Sequence, residues 1–288
     1  MVVLLFLLGL CVGSFLNVVI ERLPRGQRLV RGRSRCPKCG RVLAGRDLVP
    51  LLSFVLLKGR CRYCGQKISW QYPLVELATG LIFASSSFLS SNFYLLNLSS
   101  IFYLLSSVFL IPVFVIDLKH GVIPDKIVFP AIALVTSYRL LVTGSSIWEL
   151  YRNLRGDIGG LGPYLLQTNF FKHHLWLEVS PLLWTLLGSL VLYFAFCILH
   201  FAFRGRALGG GDVKLAFLVG LITGWPNMIV AVFSAFLTGA LVSVILMLLG
   251  RKKFGETVPF GPFLVAGTYV ALFFGEEILS WYMNLLWV

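Results

Sequence analysis

Long apolar runs, separated by short polar interruptions, recur along the whole chain. Eight of them stand out, at roughly 1–20, 74–91, 98–116, 122–142, 181–203, 213–224, 227–249 and 259–287. Runs of roughly 18–20 apolar residues are long enough to cross a bilayer as helices. The expected fold is therefore an all-α polytopic membrane protein with about eight transmembrane helices. The sixth run is short, and Gly220, Gly224 and Pro226 interrupt it, which predicts a tilted span or a close join to the next one. The last is long and predicts an interfacial turn around Gly275, Glu276 and Glu277.

Composition agrees with this pattern. Of the 288 residues 58% are hydrophobic and only 13% charged, where a soluble domain carries about a quarter. A soluble protein with one very large core is excluded on that ground.

Charge adds direction. The net charge is +13, yet thirteen of the twenty-five Lys and Arg fall between Glu21 and Pro73, where Glu21 and Asp47 are the only acids. A basic stretch can bind nucleic acid, but aromatic residues are few in this one, so no nucleic-acid partner is expected. A cytosolic loop under the positive-inside rule accounts for it better, and anionic lipid would attract it. The first twenty residues lack the basic leader and small-residue cleavage site of a signal peptide, and are read as a retained span with its N-terminus outside.

Counting spans from a cytosolic loop at 21–73 puts Asp117 at the cytosolic end of the third span. Asp212 then follows Arg204 and Arg206 at the cytosolic end of the fifth. Arg251, Lys252 and Lys253 obey the same rule, and both termini fall outside. The organisation expected is a first transmembrane helix at 1–20, a cytosolic module at 21–73 and a membrane-embedded domain at 74–288. That domain includes an external loop at about 144–180, for which an interfacial amphipathic helix is one reading. The loop carries Glu149, Asp157, Glu178 and the pair His173 and His174. The two histidines read either as a metal site or as ordinary interfacial residues.

Cys36-Pro-Lys-Cys39 and Cys61-Arg-Tyr-Cys64 are two CxxC pairs, each followed by glycine (Gly40, Gly65). Four thiolates at this spacing suit tetrahedral zinc in a closed structural site. Disulfides are the competing reading, and a reducing cytosolic loop disfavours them. A module this small would draw its folding energy from the metal. Cys11 and Cys197 lie within spans and read as buried apolar residues.

Two carboxylates stand at span boundaries, Asp117 in VIDLKHGVIPD and Asp212 in LGGGDVKL. An ionised group near the hydrocarbon core is costly, so such residues are functional candidates by default. Two carboxylates at one site need not titrate alike, which is what an aspartyl hydrolase requires to activate water. The alternative for Asp212 is a flexible glycine loop ending in a helix cap. Asp125 reads as a cap for the helix that follows it. Lys119 and Lys214 either tune the carboxylates or mark the interface, and His120 is a further acid–base candidate.

Taken in order, GSFLNVVIERLP (13–24), the paired CxxC, ISWQYPLVEL (68–77), DLKHGVIPD, GGGDVKL and VPFGPFLVAG (258–267) resemble the bacterial type IV prepilin peptidases, or leader peptidase/N-methyltransferases. These are GxGD aspartyl intramembrane proteases. The resemblance covers nearly the whole chain. It implies cleavage of the basic leader of type IV prepilins or type II secretion pseudopilins, with Asp117 (seven residues before Pro124) and Asp212 as the catalytic pair. The four cysteines imply that the new N-terminus is also methylated from S-adenosylmethionine. It further implies a bacterial cytoplasmic membrane, with catalytic aspartates and zinc module on the cytosolic side. No Gly-rich nucleotide fingerprint marks a methyl-donor site, and residues near Glu76 are the place to look. The PFGPF element reads either as part of a substrate opening or as a helix breaker. A peptidase without methylation, its zinc module structural, is the alternative function. A zinc-regulated transporter or scaffold is the remote one. The sequence leaves the oligomeric state, the particular pilins and the role of 144–180 open.

Overall fold

The computed structural model describes residues 1–29, 33–89, 98–156, 169–205, 208–251, 253 and 258–286. Asp157, Arg206 and Lys252 of the sequence reading lie outside them. The described chain is almost entirely helical and divides into two compact units, Met1–Pro124 and Asp125–Val288.

The first unit contains α1 (Val2–Arg22), a short α2 (Leu52–Leu56) in the cysteine module, α3 (Gln71–Ser85) and α4 (Leu98–His120). Helices α1 and α3 make its closest packing. A Cβ added at Gly9 would stand 2.7 Å from the Thr79 carbonyl oxygen and 2.8 Å from the Gly80 Cα. One at Gly13 would stand 2.8 Å from the Glu76 Cα. Hydrophobic exclusion of water is not available to drive helices together in lipid, so small residues that let backbones touch carry the association. Buried hydroxyls satisfy themselves along their own helices, Thr79 to the Val75 carbonyl at 2.6 Å and Ser107 to the Tyr103 carbonyl at 2.8 Å.

The second unit contains α5 (Asp125–Gly156), α6 (Asn169–Ala202), α7 (Gly210–Thr223), α8 (Asn227–Leu248) and α9 (Gly261–Leu286). Helix α7 is its centre. From Val213 to Thr223 most side chains are buried, on every face, and a helix apolar all round belongs inside a bundle. Its last carbonyls are received by Arg139 of α5, which donates to Leu221 O at 3.2 Å and Ile222 O at 3.0 Å. Helices α6 and α8 present apolar faces outward, including Phe194, Ile198 and Phe201 of α6 and Phe233, Leu237 and Leu241 of α8. Such faces suit lipid rather than water.

Each of the eight predicted apolar runs contains a helix, and among the described residues six helices are long and apolar enough to cross a membrane. The runs at 74–91 and 213–224 became α3 and α7, of 15 and 14 residues. Residues 90–97, which include the end of the first of these runs, lie outside the described residues. Helices α5 and α6 are longer than expected, at 32 and 34 residues. Together they turn most of 144–180 into helix, with 157–168 outside the described residues. The last run is one continuous helix through Gly275 to Leu286, with no turn at Glu276 and Glu277. Gly275 is buried there, and a Cβ on it would meet Asn227.

Candidate active site and cysteine cluster

The four cysteines come from two turns built alike. In the first, the Cys36 N–H donates to Arg41 O at 3.0 Å and the Gly40 N–H returns to Cys36 O at 2.9 Å. In the second, the Cys61 N–H donates to Gln66 O at 2.8 Å and the Gly65 N–H to Cys61 O at 2.9 Å. Isolated antiparallel bridges, Arg35 with Val42 and Arg60 with Lys67, close each turn. Gly40 and Gly65 have φ of +69° and +68°, a conformation that side-chain-bearing residues rarely adopt.

The four sulfurs all lie within 4.8 Å of one another, with Cys36 Sγ and Cys64 Sγ 3.9 Å apart. A tetrahedral zinc site with metal–sulfur bonds of about 2.3 Å spaces its sulfurs by about 3.8 Å. The donor set and its spacing fit that metal. The Gln66 N–H lowers the Cys64 thiol, but desolvation and the Cys61, Cys39 and Cys36 sulfurs outweigh it and push it up to about 11. Crowded thiols resist ionising together unless a cation sits among them.

Two residues, Asp47 and Arg41, brace the turns. Asp47 accepts from Arg62 Nε at 2.7 Å, from the Tyr63 hydroxyl at 3.1 Å and from the Ala44 N–H at 3.2 Å. The Arg62 hydrogen bond is the main reason its carboxyl titrates below the usual 3.8. The Arg41 guanidinium lies 5.1 Å over the Tyr63 ring, so the first turn also grips the second.

Asp117 sits in the last turn of α4 and is 4% exposed. Gly121, at φ +62°, ends that helix by donating its N–H to the Asp117 carbonyl at 2.8 Å. Leu118, Lys119 and His120 beyond it are exposed. Asp212 is 7% exposed and occupies the third position of α7. Its Oδ2 accepts the Gly209 N–H at 2.9 Å, which pins the carboxylate back over the helix start. A Cβ at Gly209 would lie 3.4 Å from that oxygen, and one at Gly210 would meet nothing within 4 Å. The open space thus lies over Gly210 at the helix start, while the carboxylate itself is buried.

The neighbouring charges sort themselves out. Lys214 reaches Asp125, with Nζ 2.7 and 2.9 Å from the two carboxylate oxygens, and lies 5.4 Å from the Phe129 ring centre. Asp125 is the first residue of α5 and its side chain is 54% exposed, as a helix-start carboxylate would be. In the PFGPF element, α9 starts at Gly261, with Pro262 in its first turn. Phe260 packs against Phe236 with ring centres 4.9 Å apart. His173 is exposed near the start of α6, and His174 lies 4.2 Å from the Phe170 ring centre.

The N-terminal motifs hold residues whose roles sequence reasoning did not assign. The Leu51 N–H donates to Glu76 Oε2 at 2.9 Å, and the Tyr72 hydroxyl to Glu21 Oε1 at 2.6 Å. Asn17 Nδ2 donates to Tyr72 O at 3.1 Å. The signal was present in GSFLNVVIERLP and ISWQYPLVEL, which hold the polar side chains on α1 and α3.

This membrane-type helical protein, with one four-thiol cluster and a buried aspartate at the end of a helix in each unit, can be placed against known sequences. The Bacterial Peptidase A24 N-terminal domain matches residues 7–89, and the Type IV leader peptidase family matches residues 158–244. All four cysteines fall in the first match and Asp212 in the second, with Asp117 between them. Three curated relatives carry the name prepilin leader peptidase/N-methyltransferase. The Bacillus subtilis protein is 30% identical over 285 residues, which span 99% of each chain. The Burkholderia pseudomallei protein (strain 1026b) is 33% identical over 93% of this chain and 84% of its own. The Myxococcus xanthus protein is 35% identical over 85% of this chain, which spans 63% of the relative's length. No solved structure matches significantly. The chain belongs to the prepilin leader peptidase/N-methyltransferase family.

Proposed function

We propose that this protein is a membrane aspartyl peptidase that cleaves the leader of type IV prepilins or type II secretion pseudopilins and methylates the new N-terminus. Asp117 and Asp212 supply the two catalytic carboxylates. The observation that carries this reading is the burial of both in otherwise apolar helical segments, where a carboxylate without a task is a liability.

The chemistry requires the pair to share one water. The ionised carboxylate takes a proton as the water oxygen attacks the scissile carbonyl carbon. The protonated carboxyl gives a hydrogen bond, then its proton, to the carbonyl oxygen. Collapse of the tetrahedral intermediate breaks the C–N bond: the leaving amine takes the proton that the first carboxylate had accepted from water, and a hydroxyl of the intermediate returns its proton to the second carboxylate as the product carboxyl forms, which restores the pair. The two titrate as a unit. The exposed glycines just before Asp212 leave room for an extended substrate backbone.

Cys36, Cys39, Cys61 and Cys64 hold a structural zinc ion, which supplies the folding energy of the module. For methylation the new amine, deprotonated, attacks the sulfonium methyl of S-adenosylmethionine. An N–C bond forms as the S–C bond breaks, leaving S-adenosylhomocysteine and a proton. Module and aspartates lie on the cytosolic side of a bacterial cytoplasmic membrane, as the basic loop favours.

The test is purified full-length protein incubated with a prepilin and labelled methyl donor, followed by mass analysis. Asp117→Asn or Asp212→Asn that still trims the leader overturns the peptidase assignment. Trimmed product without an added methyl group leaves a peptidase with a purely structural module.

A further inference from the structure

A cavity of about 690 Å³ opens between the cysteine module and helices α1 and α3. Asn17 and Glu21 face it from α1, Tyr72 and Glu76 from α3, and Phe54 and Cys61 from the module. The proposed peptidase chemistry has no use for it. Its volume lies within the range of small-molecule sites, roughly 300–1,000 Å³.

Three features say what it would hold. Glu76 is 8% exposed and, among the described residues, makes no ion pair. A carboxylate so buried is neutralised either by a proton or by a cation beside it. Its position is fixed by the Leu51 N–H, as Glu21 is by the Tyr72 hydroxyl, so the acidic wall is preorganised. Phe54 and Phe15 add aromatic surface, while Arg35, Lys38 and Lys67 add positive charge elsewhere on the lining. The fitting ligand has cationic centres, a flat heteroaromatic ring and one carboxylate.

We propose that this cavity is the methyl-donor pocket and takes S-adenosylmethionine. Glu76 lies against the sulfonium or the amino group, the aromatic side chains receive the adenine, and the basic residues receive the carboxylate. The volume beyond the donor admits the acceptor amine. This inference rests on the methyltransferase half of the proposed function. It also gives the cysteine module a part in that half, since Cys36 and Cys61 contribute to the lining.

The probe is labelled S-adenosylmethionine with full-length protein in detergent, read by equilibrium dialysis and by ultraviolet cross-linking with peptide mapping. The expected label falls in peptides covering 14–22, 47–57 or 66–76. Glu76→Gln should weaken binding about tenfold or more, with zinc content unchanged, while Asp125→Asn binds as the parent does. Label confined to other peptides overturns the location, and so does Glu76→Gln binding at parental affinity. The cross-linking map decides even if Glu76→Gln fails to fold. A parent that trims prepilin but binds no donor overturns the methyltransferase reading itself, and is distinguishable from binding at another place.

Discussion

Buried carboxylates are the residues on which the peptidase reading turns. Asp117→Asn and Asp212→Asn should each lower leader cleavage by roughly 10²–10⁴-fold or more, measured with purified protein of unchanged thermal midpoint. Asp125→Asn should change the rate less than about fivefold, because an exposed pair with Lys214 contributes at most about 1 kcal/mol. In the module, Arg62 holds Asp47 below its ordinary pKa. A carboxyl depressed in the folded state adds stability that is complete above its unfolded value and is lost as pH falls through the folded one. Neutral pH lies well inside that window, so Asp47→Asn should release zinc faster to a chelator at pH 7. Asp117, Asp212 and the four cysteines could be read from sequence because their residue types are costly or chemically specific where they stand. The surroundings of Glu76 could not, since its partner, Leu51, lies 25 residues away.

Helices could be read where apolar runs are long, and misjudged where ends depend on packing. Helix α7 stops after 14 residues because Gly224 and the Arg139 contacts finish it. The opposite end of α5 continues past the apolar run into a polar segment that hydropathy treats as loop. The close approach of α1 and α3 was invisible, since glycine in an apolar run reads only as small. Gly13→Leu should separate those helices, at a cost of about 1–3 kcal/mol or more. Because its side chain would strike α3 at Glu76, donor binding should suffer before leader cleavage does. Dialysis and cleavage assays on one preparation would show the order.

At the scale of the molecule, the metal is expected to govern one part of the first unit. Zinc contributes about 10–16 kcal/mol to small thiolate modules, so stripping it should unfold residues 33–69 and abolish donor binding. The helices of the second unit should keep their circular dichroism. Zinc affinity should rise with pH, because binding displaces thiol protons. Zinc affinity that is flat between pH 6 and pH 8 would contradict thiolate ligation.

At about 1.5 Å per residue, the fourteen residues of α7 reach about 21 Å, well short of a hydrocarbon layer of about 30 Å. Asp212 rides on one end of that short rod. Its neighbours in the bundle keep it from the acyl chains, so solvent is expected to reach an end that stops short of the layer's surface only through the protein. A thicker layer lengthens that path. Vesicles of progressively longer acyl chains should slow cleavage, since thicker surroundings withhold the solvent that hydrolysis consumes.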